Sequence, residues 1–172
     1  MAVKQILTEP NKTLRQISKP VERVGREEQT LMDDMLETMY DANGIGLAAI
    51  QIGIPKRIIV MDLSRDNEKK KPRYFVNPVI QNKNSEKATY EEGCLSVPNQ
   101  FAEIDRPSAC VLEYLDYDGK KQILNADGLL ATCIQHEMDH LEGILFIDYL
   151  SKLKKSMIIK KLSKKKSNQI VI

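Results

Sequence analysis

The sequence lacks several features that define whole classes of protein. Its 172 residues contain no run of eighteen apolar residues, so we expect no membrane-spanning helix. Residues 1–10 lack the basic start and the long apolar centre of a secretory signal peptide. The three cysteines are an odd number and do not form a complete set of disulfide pairs. Together these absences predict a single cytoplasmic domain with free thiols.

Histidine is scarce, and its placement is informative. The only two histidines stand four positions apart in His136-Glu137-Met138-Asp139-His140. On a helix this spacing brings both imidazoles to the same face, within reach of one metal ion. Glu137 is rotated by about 100° from His136, which places a carboxylate beside the ion without making it an obvious ligand. The pattern predicts two ligands and the general base of a metal-dependent hydrolase; an amphipathic helix with surface histidines is the alternative.

A catalytic site of this kind needs a third protein ligand, and the chain offers no suitable residue downstream of His140. Cys133 shares the helix but lies seven residues from His140, about 10 Å along the axis, too far for one ion to bind both. Cys110 stands in a strand-like apolar run, where packing in the core is the simpler role. Cys94 follows Gly93 among charged residues, as in a turn that carries a ligand. Cys94 is therefore the predicted third ligand.

Three segments, in order, resemble the motifs of the polypeptide deformylase family. They are Gly44-Ile45-Gly46-Leu47-Ala48-Ala49-Ile50-Gln51, Glu92-Gly93-Cys94-Leu95-Ser96 and His136-Glu137-Met138-Asp139-His140. The motifs span residues 44 to 140, and residues 141 to 146 are also similar to family sequence. Three complete motifs in order are far more specific than any one of them.

The resemblance implies a metal-dependent amide hydrolase that removes the N-formyl group from the initiator methionine of nascent polypeptides and releases formate. Cys94, His136 and His140 would hold one divalent metal ion, and metal-bound water would attack the formyl carbonyl. Glu137 would act as general base toward that water and then as general acid toward the leaving amine.

The same resemblance implies an oxyanion site and a choice of metal. The side-chain amide of Gln51 and the backbone N–H of Leu95 would stabilise the developing negative charge. A Cys-His-His ligand set suits both Fe²⁺ and Zn²⁺. Deformylases that resemble this chain use ferrous iron, so Fe²⁺ is the expected ion, with Zn²⁺, Ni²⁺ or Co²⁺ as alternatives.

Five residues are expected, by resemblance, to bind substrate. Four of them would line the pocket for the methionine side chain, namely Ile45, Tyr90, Leu129 and Cys133, and Gly46 is the fifth substrate-binding residue. Two departures from the family pattern fall near them. Asn99-Gln100 follows Pro98, where the family often has Gly or Glu, and Thr132 occupies a site that is often apolar. Both departures would tune the substrate pocket without touching the chemistry.

The predicted fold class is α+β. Apolar residues recur on one helical face from about Glu27 to Ala42, and the motif helix is expected over about Asp127–Leu141, closed by Gly143. Strand-like runs stand at Arg57–Met61, Tyr74–Val76, Val79–Ile80, Ala109–Leu115 and Lys121–Leu124. We expect a single domain with antiparallel β-sheets packed around the central motif helix, followed by a C-terminal helix.

The motif helix also has a predicted packing partner. Ile134, Met138 and Leu141 are expected to anchor it against the sheet that carries Cys94.

Charge divides unevenly along the chain. Residues 151–172 contain eight lysines and no acid, a charge of +8, so residues 1–150 carry −6 of the net +2. We predict a catalytic domain at 1–150 and a basic C-terminal helix or tail of the same domain at 151–172, with Leu150, Leu153 and Met157 on its apolar face. Most lysine runs are only solvated tails. Because deformylases act on chains that emerge from the ribosome, we also expect this tail to contact the ribosome by phosphate attraction.

Two other functions stay open on the residues alone. A general metallopeptidase would use a similar ligand set and would cleave peptides internally. A nucleic-acid-binding module with a structural metal would need a fourth ligand, and no second cysteine accompanies Cys94 at finger-like spacing. A dinucleotide site at Gly44-Ile45-Gly46 is excluded because the third glycine of that fingerprint is absent.

Overall fold

The part of the chain that the structure describes contains three α-helices and seven β-strands. The structure is a computed structural model of residues 1–170, with side chains described for residues 1–164. The helices are α1 (Arg26–Asp41), α2 (Gly128–Leu141) and α3 (Lys152–Ile170), with short 3-10 helices at Lys12–Arg15, Ala49–Ile52 and Phe146–Tyr149. The strands are β1 (Gly46–Ala48), β2 (Ile58–Met61), β3 (Arg73–Lys83), β4 (Lys87–Cys94), β5 (Val97–Pro107), β6 (Ala109–Leu115) and β7 (Lys121–Asp127). Residues 171–172 of the predicted tail lie outside the described residues.

The strands form two antiparallel sheets, which confirms the predicted α+β class. One sheet has five strands in the order β1-β2-β3-β6-β7, and the other consists of β4 and β5. The two runs predicted at Tyr74–Val76 and Val79–Ile80 are parts of one strand, β3. The ladder is interrupted between them, where Asn77 has a φ of 49° and its side chain accepts a hydrogen bond from the Val21 N–H at 2.8 Å.

The hairpin of β4 and β5 is absent from the predicted strands. Glycine, proline and charged residues around Cys94 were interpreted as a turn, and the long β4–β5 ladder on either side of that turn was missed. In β4 the exposed and half-buried positions alternate, and only Glu92 is fully buried. A strand whose buried position is a glutamate does not show the apolar alternation by which strands are recognised.

Helix α2 contacts strands of both sheets and so occupies the predicted central position. Ile134 and Leu141 are buried with Ile59, Phe75 and Leu112 of the five-stranded sheet. The predicted partner of this apolar face was therefore wrong, because Cys94 ends β4 in the other sheet. The helix presents its apolar face to the large sheet and its histidines toward the hairpin.

Helix α3 packs against the two-stranded sheet, and its buried face differs from the prediction. Ile158 and Leu162 are buried with Ile104 of β5, whereas Leu153 and Met157 are 71% and 50% exposed. The predicted apolar face was wrong for Leu153 and Met157. The helix is rotated so that Ile158 and Leu162, rather than Leu153 and Met157, face the sheet. No helix within residues 1–170 combines the length and apolarity needed to cross a membrane.

Candidate active site

Three potential metal ligands converge where β4 ends against α2. The ligand atoms of Cys94, His136 and His140 all lie within 4.8 Å of one another, and Cys94 Sγ is 3.3 Å from His140 Nε2. Ligand atoms bound tetrahedrally at about 2.0–2.3 Å from one ion are roughly 3.3–3.8 Å apart. The donor set therefore fits a divalent ion. His136 and His140 are 9% and 0% exposed, so the alternative of surface histidines was wrong.

The turn of the β4–β5 hairpin places the thiol. The ladder is irregular between Gly93 and Cys94, and Cys94 pairs with Val97 across the turn. A Cβ at Gly93 would lie 2.6 Å from Cε1 of Phe101, so the exposed ring of Phe101 would have to move to admit a larger residue. The ring of Phe101 thus occupies the space that any larger residue before the thiol would need.

A carboxylate orients the first histidine. Glu92 Oε1 is 2.8 Å from His136 Nδ1, which leaves Nε2 available to bind a metal ion. Arg106 holds that carboxylate through two parallel bonds, Nε to Oε2 at 2.7 Å and Nη2 to Oε1 at 3.0 Å. Burial raises the pKa of Glu92, but hydrogen bonds from His136 and Arg106 outweigh burial and hold that pKa below its usual value. Glu92 is thus an ionised acceptor at neutral pH.

The pKa values of the two imidazoles are shifted in opposite directions. Burial and the neighbouring His136 lower the pKa of His140 well below its usual value, so this ring is neutral, as a ligand must be. Burial also lowers the pKa of His136, but hydrogen bonds with Cys94 and Glu92 raise it well above its usual value. A bound cation would take the place of that proton.

Glu137 is buried beside the three potential ligands, and one of its oxygens has no partner among the described residues. Its Oε2 makes no hydrogen bond to any described residue, and burial raises the pKa of Glu137 to about 7. A nearby cation would lower that value. The carboxylate is close to β1, because a Cβ on Gly46 would lie 2.6 Å from Oε1. Such a group can accept and return a proton near neutral pH.

Gln51 and Leu95 offer neutral donors next to the thiol. The Gln51 side-chain oxygen accepts from the Ala48 N–H at 2.9 Å, which turns its Nε2 toward Ser96 Oγ at 3.0 Å and Cys94 Sγ at 3.6 Å. The backbone N–H of Leu95 makes no hydrogen bond to any described residue. Gln51 and Leu95 both line the cavity described next.

A cavity of about 500 Å³ opens onto this group. Its lining includes all five residues predicted to bind substrate: Ile45, Gly46, Tyr90, Leu129 and Cys133. Their role in binding stays a prediction. Thr132 also lines the cavity, and its hydroxyl has no partner among the described residues.

Several residues of the site were missed in the sequence. Glu92 lies in the second motif, where position alone could have suggested a role beside Cys94. Ser96 lies in the same motif, and the fold brings its hydroxyl to Gln51. Arg106 carried no signal, because only the fold of the hairpin brings it to Glu92. Arg106 is 4% exposed although it resembles a surface strand residue in the sequence.

Comparisons with known proteins agree with one another. Residues 3–156 match the family model described as polypeptide deformylase. A peptide deformylase of Pelagibacter ubique (strain HTCC1062) is 80% identical over 172 residues, which is 100% of each chain. The crystal structure of peptide deformylase from Ehrlichia chaffeensis matches with a TM-score of 0.94 and 42% identity, covering 98% of this chain and 99% of that one. A second structure from that organism, in complex with actinonin, matches with a TM-score of 0.92 and 45% identity, covering 96% and 98%.

Proposed function

The chain belongs to the polypeptide deformylase family, and from this premise we propose how its residues carry out the reaction. It is an enzyme that hydrolyses the N-formyl group of nascent polypeptides. Membership of this family sets aside the alternatives of a general metallopeptidase and of a nucleic-acid-binding module. The metal, the residue roles and the partners proposed below go beyond that membership.

One divalent ion would be held by Cys94, His136 and His140. When bound, it supplies a Lewis acid that can lower the pKa of water to near 7. We propose Fe²⁺ as the native ion, with Zn²⁺, Ni²⁺ or Co²⁺ as alternatives that the same donor set accepts. Metal analysis of anaerobically purified protein tests this choice.

The proposed proton path runs through Glu137. Its carboxylate accepts a proton from the water that attacks the formyl carbon, and it then donates that proton to the leaving amine. The C–N bond breaks, and the products are formate and a free α-amine. The observation that carries this role is a buried Oε2 that has no partner within the described part of the chain, next to three converging potential ligand atoms.

Gln51 Nε2 and the Leu95 N–H would donate hydrogen bonds to the developing oxyanion. Neither group titrates near neutral pH, so both can face negative charge without becoming charged themselves. The Ala48 N–H fixes the orientation of the Gln51 amide in advance. Preorganised donors of this kind reduce the cost of reorganisation during the reaction.

The substrate would extend along β1. This strand is an edge of the five-stranded sheet and pairs only with β2 among the described strands. A peptide can add to such an edge as a further strand. We propose that Gly46 contacts the peptide there, while Ile45, Tyr90, Leu129 and Cys133 enclose the methionine side chain.

Formate release from a formyl-methionyl dipeptide, with and without a chelator, tests the proposed reaction. We expect release that the chelator abolishes and that added divalent metal restores. Internal cleavage of an unformylated peptide, with the formylated dipeptide left intact, would instead indicate a general peptidase.

We also propose a ribosome contact through α3. Its exposed side chains include Lys152, Lys154, Lys160 and Lys161, while Lys155 is bound to Asp148. The side chains of residues 165 and 166, two of the eight lysines, lie outside the described part. The division into 1–150 and 151–172 and the cytoplasmic location also stay predictions.

A further inference from the structure

A closed ring of side chains connects α2 to itself through the hairpin. His136 contacts Glu92, Glu92 is held by Arg106, and Arg106 Nη1 donates to Asp139 Oδ2 at 2.8 Å. Asp139 stands one turn of α2 beyond His136, so the ring begins and ends on the helix that carries both histidines. The arginine uses three N–H groups in fixed directions, which a lysine cannot reproduce.

Tyr149 closes the outside of this ring. Its hydroxyl donates to Asp139 Oδ2 at 2.7 Å, and the centroid of its ring lies 5.0 Å from the Arg106 guanidinium carbon. The aromatic face shields the guanidinium from water, which strengthens the ion pairs of Arg106. Tyr149 ends the short helix Phe146–Tyr149 and is itself 51% exposed. An exposed tyrosine thus has two directed contacts to an arginine–aspartate pair.

We propose that Tyr149 and Asp139 are positioning residues for the metal centre. They act through Arg106, which holds Glu92 in the orientation that fixes His136 and directs its Nε2 toward the ion. Loss of the tyrosine hydroxyl frees one side of Asp139 and loosens the Arg106 fork. The ligand then leaves the ion more often, and the ion dissociates faster. This inference rests on the proposed metal site at Cys94, His136 and His140.

The test measures metal release rather than turnover. The full chain is loaded with Zn²⁺ and mixed with an excess of a chelating dye, and the release rate is recorded. Tyr149→Phe removes only the hydroxyl and keeps the ring over Arg106. The matched control is Tyr117→Phe, because the Tyr117 hydroxyl donates to Asp33 at 3.1 Å, and Asp33 lies in α1, which contributes no residue to the ring. Thermal midpoints are measured for all variants.

We expect Tyr149→Phe to release zinc about threefold to tenfold faster than wild type. Arg106→Lys should have the larger effect, because losing the support of a ligating histidine typically costs about 10–100-fold in metal affinity, and we expect faster release to account for most of that loss. Tyr117→Phe should release zinc at the wild-type rate. If Tyr149 acts through Arg106, the double variant Tyr149→Phe/Arg106→Lys should release zinc no faster than Arg106→Lys alone.

Three results would overturn the positioning role while leaving the proposed function intact. They are wild-type release by Tyr149→Phe, equal acceleration by Tyr117→Phe, and additive effects in the double variant. A lowered thermal midpoint for Tyr149→Phe with unchanged release would likewise show a purely structural contact. A wild-type chain that binds no zinc would overturn this inference and the proposed metal site together.

Discussion

Glu137 and Gly46 are in contact across the site, and each constrains what the other can be. The proposed role of Glu137 requires a carboxylate that is free to move a proton, which is permitted by its pKa of about 7 and by an Oε2 without a partner among the described residues. Gly46 must lack a side chain, because a Cβ there would meet the carboxylate at 2.6 Å. Two different substitutions therefore separate proton transfer from the position of the carboxylate.

Glu137→Gln should abolish most turnover and leave the metal bound. The amide keeps the shape of the side chain but cannot accept the proton, and general acid–base catalysis typically contributes about 10²–10⁴-fold. Formate release and the metal content per chain are the two measurements. Retention of activity within threefold of wild type would remove Glu137 from the proton path.

Gly46→Ala should also lower kcat while the chain keeps its metal. The added methyl must displace the Glu137 carboxylate, since β1 is held by its pairing with β2 and cannot easily retreat. A displacement of the order of 1 Å at the reacting centre can cost about 10²-fold in rate. Gly25→Ala is a suitable control, because its Cβ would meet only Glu28 Oε2, at 3.5 Å. A fully active Gly46→Ala enzyme would contradict this placement of Glu137.

Among the residues of the site, those that share one helix could be predicted from their spacing in the sequence. Residues that only the tertiary fold brings to the site could not. His136 and His140 follow from a four-residue period, and Cys94 follows by elimination and from its glycine neighbour. Arg106 could not be found in this way, because its burial and its bonds to Glu92 exist only once β4 and β5 are paired.

At the scale of elements, one carboxylate joins three segments that are distant in sequence. Asp148, in the short helix Phe146–Tyr149, accepts hydrogen bonds from Arg15 and from Lys155 of α3. Burial raises the pKa of Asp148, but hydrogen bonds from Arg15 and Lys155 hold that pKa below its usual value. A carboxylate with a lowered pKa stabilises the fold above its unfolded pKa, and this contribution disappears as pH falls through the folded pKa.

Asp148→Asn should therefore destabilise the chain at neutral pH and not in acid. For a partly exposed network we expect a loss of about 1 kcal/mol in the free energy of unfolding. The difference from wild type should shrink below a pH of about 4, where the unfolded carboxyl takes up its proton. Urea unfolding across that pH range measures it, with Asp66→Asn on the exposed loop as control. A difference that persists unchanged in acid would show that charge is not its source.

Helices and the large sheet were predicted better than the hairpin, for a physical reason. The five-stranded sheet is buried on both faces at β2: Ile59 and Met61 pack in the core with α2, and Ile58 and Val60 pack in the core with α1. Burial on both faces gives an uninterrupted apolar run, Ile58–Met61, which is easy to recognise in a sequence. The hairpin buries Glu92 and Arg106. Their charged groups are compensated by the ion pair between them and by the hydrogen bond between Glu92 and His136. Element prediction from apolar periodicity fails where a strand is built around an ion pair.

At the scale of the whole molecule, charge and packing meet in α3. Residues 151–172 carry +8 and the remainder carries −6, so the enzyme has a strong charge asymmetry. The same helix buries Ile158 and Leu162 against Ile104 of β5, in the hairpin that also presents Cys94. Removal of the helix would therefore expose the core against which Cys94 packs, as well as delete the lysines. Truncation cannot separate a docking role from a structural one.

Reversing the charge of exposed lysines separates the docking role of α3 from its structural role. Lys160 and Lys161 are exposed, so Lys160→Glu/Lys161→Glu alters the charged face and leaves Ile158 and Leu162 in place. If α3 docks on ribosomal phosphate, this variant should bind ribosomes more weakly, and its plot of log affinity against log salt should be shallower by about two. The matched control is Lys69→Glu/Lys87→Glu, which changes the net charge equally on exposed positions outside α3. Equal weakening by both pairs would indicate attraction by net charge alone, and unchanged affinity in both would remove the ribosome contact.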